Sequence, residues 1–156
     1  MEFNIKDYTV IDLLPHDPPM VVVDELVSFQ DDSAVGAVAI NSESMFLNES
    51  GEVPSWVGIE YMAQTIGLYV GALAKKNKKP IKLGFLLGTR RYEASIPAFK
   101  KGVKYKIEAK VLVQKDGLGA FECIIFNDKM NEKLITAQIN VFRPENIEEF
   151  LEHFKK

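Results

Sequence analysis

Residues 56–74, from Trp56 to Ala74, constrain this chain more than any other stretch: Glu60 is the one charged side chain in an otherwise apolar, small or neutral run. Pro54 and Ser55 suit a helix start, and Lys75 and Lys76 suit the negative end of a helix macrodipole, so the run predicts one long helix. Trp56, Ile59, Ala63, Ile66, Val70, Leu73 and Ala74 fall on one arc, yet the other side carries Val57, Tyr61, Leu68 and Ala72. A helix that is apolar nearly all round must be buried nearly all round. A membrane span is not expected, because Glu60 and Gln64 would then sit in hydrocarbon.

The remaining sequence reads mostly as the wall around that helix. Residues 9–14 predict one or two helical turns ended by Pro15. Residues 20–29 and 34–41 predict two strands joined by a turn at Gln30-Asp31-Asp32-Ser33, with Val21-Val22-Val23 giving β-branched weight. Residues 42–52 form a polar loop carrying Met45, Phe46 and Leu47. Downstream, residues 82–95, 103–115, 118–127 and 132–142 predict four strands, with Asp116-Gly117 as a two-residue hairpin turn. Lys104, Lys106, Glu108 and Lys110 alternate with Val103, Tyr105, Ile107 and Ala109, which puts one sheet face in water. Residues 144–154 predict an amphipathic tail helix with Ile147, Phe150, Leu151 and Phe154 on one stripe.

Two strands, one buried helix and four further strands are most economically folded as an antiparallel sheet curled around the helix. That is an α+β hot-dog architecture, expected as a single domain over residues 1–156 with its core at 5–143. One sheet covers only part of the helix circumference, so a second subunit is expected to cover the rest, and a dimer follows.

Composition narrows the chemistry. A hydrophobic share of 47% and a charged share of 26% are those of an ordinary globular chain, which argues against disorder. A net charge of −3 leaves no broad basic surface for nucleic acid, and Lys75-Lys76-Asn77-Lys78-Lys79 reads as a solvated helix end. One cysteine, Cys123, makes neither an internal disulfide nor a Cys-based zinc site, and suits a reducing cytoplasm. The first residues, Met1 to Asp7, lack the pattern of a secretory signal. His16 and His153 are too far apart for a local metal motif, so no metal is expected.

Glu60 is the most informative residue. It is either a carboxylate turned to solvent at a helix start, or a partly buried acid kept protonated by desolvation, as a general acid near neutral pH requires. Gln64, one turn on and on the same face, is placed to orient it and to border a substrate. Gly67 and Gly71 continue the strip, either as close helix–sheet packing or as a channel for a ligand chain. His16, held between Pro15, Pro18 and Pro19, is a loop histidine that is either structural or a general base. His153 sits beside Glu152 and Lys155 on the tail and reads as a solvated surface residue.

The segment Leu13-Leu14-Pro15-His16-Asp17-Pro18-Pro19-Met20-Val21-Val22-Val23-Asp24-Glu25 resembles the opening Leu-Pro-His segment of the 3-hydroxyacyl-[acyl carrier protein] dehydratases. Ile59-Glu60-Tyr61-Met62-Ala63-Gln64 resembles the Glu-x-Met-Ala-Gln motif of their hot-dog helix. In that family the helix glutamate works with a histidine from a Gly-His-Phe-Pro-Gly segment just before the helix. Here Phe46-Leu47-Asn48-Glu49-Ser50-Gly51-Glu52-Val53-Pro54 is shorter and contains no histidine. Val53 to Glu60 instead resembles a branch of predicted dehydratases linked to aryl-polyene-type lipid pathways. Either His16 takes the histidine role or the protein does not dehydrate.

The resemblance implies elimination of water from a 3-hydroxyacyl thioester, with His16 as base and Glu60 as acid. An amide near Val57 or Gly58 would bind the thioester carbonyl. No metal or organic cofactor is implied beyond the phosphopantetheine that carries the substrate, on acyl carrier protein or coenzyme A. Arg90, Arg91, Lys100 and Lys101 are candidates for a basic rim that meets the carrier, or are solvated strand ends. Two rivals stand beside this reading. One is an acyl-thioester hydrolase on the same fold, and the other is a non-catalytic hot-dog subunit that supports an active partner.

Overall fold

The structure is a computed structural model that describes residues 3–14, 21–81 and 84–143. Helix α1 (Val10–Leu13) is short but well started: Thr9 accepts from the Asp12 amide while the Asp12 carboxylate accepts from the Thr9 amide. Strands β1 (Glu25–Gln30) and β2 (Ser33–Ala39) form a hairpin through Asp31 and Asp32. Strand β3 (Glu52–Pro54) leads through a 3-10 turn (Ser55–Val57) into helix α2 (Gly58–Lys76). Strands β4 (Phe85–Ala94), β5 (Ala98–Lys100), β6 (Lys104–Lys115), β7 (Leu118–Asn127) and β8 (Lys133–Phe142) follow. The predicted tail helix at 144–154 lies outside the described residues.

Six strands make one antiparallel sheet in the order β1-β2-β6-β7-β8-β4, and β3 pairs with β5 beside it. The β6–β7 turn has positive φ at both Asp116 (52°) and Gly117 (84°), the backbone that matches strand twist in a two-residue hairpin. Along β6, Tyr105, Ile107 and Ala109 are buried while Lys104, Lys106 and Glu108 are not, as the alternation predicts. Beta-strand β1 begins later than the sequence suggests. Bonding to β2 starts with the Asp24 amide on the Ala37 carbonyl, while Val22 and Val23 direct their amides to a side chain of α2.

Helix α2 lies on the inner face of this sheet, with β7 running antiparallel to it. Ile125 of β7 packs beside Gly58, and Phe121 stacks edge-on against Tyr69 at 5.8 Å between ring centroids. Of its two apolar faces, the sheet takes the one bearing Tyr61, Met62, Thr65, Leu68, Tyr69 and Ala72. Each fully buried large side chain contributes about 1.5–3 kcal/mol, so the bulkier face wins the sheet. The other arc is only partly covered: Ile66 and Ala74 are buried, Ile59, Ala63, Val70 and Leu73 are half-buried, and Trp56 is 57% exposed. The predicted buried helix thus keeps one arc partly open within a single chain.

The chain before the sheet is tied to the same helix. Leu13, Leu14, Val23 and Leu68 form a second small apolar cluster. A Cβ on Gly67 would meet the Leu14 side chain at 2.7 Å, and one on Gly71 would meet the Leu13 carbonyl oxygen at 2.1 Å. The two glycines serve close packing, and their partner is α1 with its following residue.

Candidate active site

The open arc of α2 forms one wall of a groove of about 420 Å³. Its other walls come from the start of β4, the β6–β7 hairpin and the end of β8, through Phe85, Leu118, Phe121 and Val141. Glu60 and Gln64 line it near the start of α2, and Val70 and Leu73 line it near the far end. At the α-helical rise, the stretch from Glu60 to Leu73 spans about 20 Å. The groove is therefore long and mostly apolar, with Glu60 on its helix wall and Lys115, Asp116 and Arg143 on its hairpin side.

Glu60 is in the first turn of α2, where the positive end of the macrodipole favours a carboxylate. It is half-buried and lines the groove. Gln64 is 1% exposed. Its Nε2 donates to Glu60 Oε1 at 2.9 Å, and its Oε1 accepts from the amides of Val22 at 2.8 Å and Val23 at 3.3 Å. The predicted partnership of Glu60 and Gln64 is present.

The start of α2 is anchored from the sheet. The Tyr92 hydroxyl on β4 donates to the Ser55 carbonyl, and burial pushes the Tyr92 phenol up to about 12. A Cβ on Gly58 would collide with that hydroxyl and crowd Phe99 and Ile125, so the helix begins where only glycine fits. The Gly58 amide donates back to Ser55, and Val57 turns its side chain into the core.

His16 lies outside the described residues, as does His153. Both flanks of segment 15–20, however, are held on α2. Leu13 and Leu14 rest on Gly71 and Gly67, and Val22 and Val23 are bonded to Gln64.

The four basic residues singled out from sequence are dispersed. Arg90 and Arg91 are exposed on β4 at the sheet edge, with Arg91 at φ 53° in an irregular step of the ladder. Lys100 ends β5 and Lys101 begins the turn after it. None lines the groove, whose own cations are Lys115 and Arg143. Sequence reasoning passed these two over. No local pattern marks them: pairing of Leu118 with Phe142 carries Arg143 to the hairpin turn, where its amide donates to the Gly117 carbonyl, two residues from Lys115. Among the described residues no group of His, Cys, Asp and Glu is arranged to hold a metal ion, and no helix is long and apolar enough to cross a membrane.

An antiparallel sheet wrapped on one long helix defines the α+β hot-dog fold. The family model for ApeP-like dehydratases (ApeP dehydratase) matches residues 8–152. The chain belongs to the ApeP-like dehydratase family. It is similar to a chain of the dehydratase heterocomplex ApeI:P from Xenorhabdus doucetiae, with 33% identity over 96% of this chain and 99% of that one and a TM-score of 0.89. More distant structures share the fold. A Streptococcus mutans protein bound to acetyl CoA has 15% identity over 83% of this chain and 94% of that one, with a TM-score of 0.62. A hypothetical thioesterase from Streptococcus pneumoniae with coenzyme A has 18% identity over 76% of this chain and 84% of that one, with a TM-score of 0.59. No curated protein sequence matches the chain.

Proposed function

We propose that the protein removes water from a 3-hydroxyacyl thioester carried on phosphopantetheine, giving the α,β-unsaturated thioester in polyene-type or fatty-acid lipid synthesis. The observation that carries this is the placement of Glu60, oriented by Gln64, on a long, mostly apolar groove. The acyl chain lies in the groove along α2, with C3 at Glu60. His16 takes a proton from C2, which the thioester carbonyl acidifies, and the electrons form the C2–C3 double bond. The C3–O bond breaks as Glu60, protonated, gives its proton to the departing hydroxyl, which leaves as water. The carbonyl that gathers charge meets the amides at the start of α2, at Val57 or Gly58, and Gly58 must then exchange its bond to Ser55. Anchoring of both flanks of segment 15–20 beside Gln64 supports His16 as the base.

No cofactor takes part beyond the arm that bears the substrate. Lys115 and Arg143, the cations that line the groove, meet the phosphates of the arm, and the exposed Arg90, Arg91, Lys100 and Lys101 outside it offer positive charge to an acidic carrier protein or to coenzyme A. The open arc of α2 is covered by a second hot-dog chain, and the protein works in the cytoplasm. The solved heterocomplex supports a related rather than identical partner. The same relative favours a second reading, in which this chain is the non-catalytic half of a pair. The test is product analysis with a 3-hydroxyacyl carrier substrate, using the chain alone and with its hot-dog partner. An unsaturated product that needs this chain's Glu60 supports the proposal, free thiol points to hydrolysis, and activity indifferent to Glu60→Gln assigns the chemistry to the partner.

A further inference from the structure

A second cavity, of about 200 Å³, shares no lining residue with the groove. Val21, Val22, Val38 and Met45 give it apolar walls, and Asp24, Glu43 and Tyr61 bring polar groups to it. Tyr61 is 2% exposed, with its ring set edge-on against Phe99 at 5.1 Å between centroids. Its hydroxyl nevertheless bonds to no described residue, while no fully buried side-chain oxygen or nitrogen among those residues is left without a partner. The hydroxyl is therefore not sealed in the core, and it is the tip of the side chain that reaches the cavity. Burial and the nearby Asp24 carboxylate both keep the phenol protonated, so it presents one donor and a free acceptor oxygen there.

The remaining lining sets the sign of the occupant. Asp24 and Glu43 are its charged residues, and both are acidic. The Ala39 amide donates to Asp24 Oδ2 at 2.6 Å and holds the carboxylate in place. Lys104, the cation whose charge reaches Asp24, is paired with Glu25 at 2.7 Å. Two carboxylates repel an anion, and among the described residues no group of His, Cys, Asp and Glu is arranged to hold a metal ion. A short apolar tail that ends in an ammonium suits the cavity: the walls take the tail, and the head donates to the Asp24 carboxylate and to the Tyr61 oxygen.

We propose that this cavity is a binding site for a primary alkylammonium group, with Asp24 as its counter-ion, Tyr61 as its neutral hydrogen-bond partner, and Val38 and Met45 against its carbon chain. The site does not depend on the dehydratase reading. Val22 lines the cavity while its amide bonds to Gln64, so the occupant rests on a residue tied to α2.

The probe is n-butylammonium, titrated into full-length protein, bound to its partner where one is required, and followed by methyl NMR of labelled methionine and valine. Neutral n-butanol and potassium chloride are the matched controls. Saturable shifts of the Met45 and Val38 methyl signals are expected with n-butylammonium in the millimolar range, and with neither control. Tyr61→Phe keeps the ring against Phe99 and removes the oxygen, and it is expected to weaken binding about tenfold. Asp24→Asn keeps an oxygen for the Ala39 amide and removes the charge, and it is expected to weaken binding at least as much. Asp24 is exposed, so that variant leaves the core intact and decides the matter if Tyr61→Phe does not fold. Binding of n-butanol as tight as that of n-butylammonium, an affinity unchanged in Asp24→Asn, or the absence of any saturable shift would overturn the proposal.

Discussion

Gly71 and Leu13 meet backbone to backbone: a Cβ on Gly71 would lie 2.1 Å from the Leu13 carbonyl oxygen. One turn earlier, the space beside Gly67 is limited only by the far end of the Leu14 side chain, at 2.7 Å. The two contacts seat the chain that leads into His16 on the helix that carries Glu60.

Alanine at these positions is therefore expected to act unequally. Gly71→Ala forces two backbones apart and should cost about 1–3 kcal/mol. Gly67→Ala displaces a rotatable side chain, and the better helix propensity of alanine offsets part of the strain by about 1 kcal/mol. Urea unfolding midpoints of the two variants check this, and equal losses would mean that α1 is not seated as described.

Alkaline stability should follow Tyr92. The folded protein holds the Tyr92 proton up to about 12, against an ordinary value of 10.0, because burial disfavours the phenolate. The contribution is intact below the unfolded value. As pH rises from that value towards the folded one, the unfolded state binds fewer protons, and stability falls. Tyr61, also held protonated by burial, adds to the same fall. Tyr92→Phe is expected to lose about 1 kcal/mol at neutral pH with its bond to Ser55, and to show a shallower decline in urea midpoint above about pH 10.

Cys123 should be inert in the folded protein. It is fully buried on β7, and burial pushes its thiol up, so little thiolate exists to react. Labelling with a thiol reagent near neutral pH is expected only after denaturant is added. Rapid labelling of native protein would show that the sheet opens at β7.

Much of the fold was legible because its signals are local. The alternation in β6, the Asp116-Gly117 turn and the unbroken apolar run of α2 each reside in a few consecutive residues. The start of β1 was not legible, since Val21-Val22-Val23 has strand composition but two of its amides bond to Gln64, more than forty residues away. Periodicity also could not say which apolar face of α2 meets the sheet, because both faces carry enough apolar side chains to be buried. Glu60 and Gln64 were visible as one turn of one helix. Lys115 and Arg143 were not, because strand pairing alone brings them to the same groove.

The groove itself predicts a length preference. Filling the stretch beside Val70 and Leu73 buries further chain at about 0.8 kcal/mol per CH2, so kcat/KM should rise with acyl length until the hairpin is reached. Val70→Trp, which fills the far half, should cut activity on long chains and spare short ones. A uniform loss across chain lengths would place the chain elsewhere.

The central pairing is tested most directly by the rate of water elimination from a 3-hydroxyacyl carrier substrate by His16→Ala, measured in the intact protein with its partner beside the wild type. Loss of a general base lowers such rates by about 10²–10⁴-fold, and a drop of that size with retained folding is the expected result. An unchanged rate in His16→Ala would contradict the pairing of His16 with Glu60.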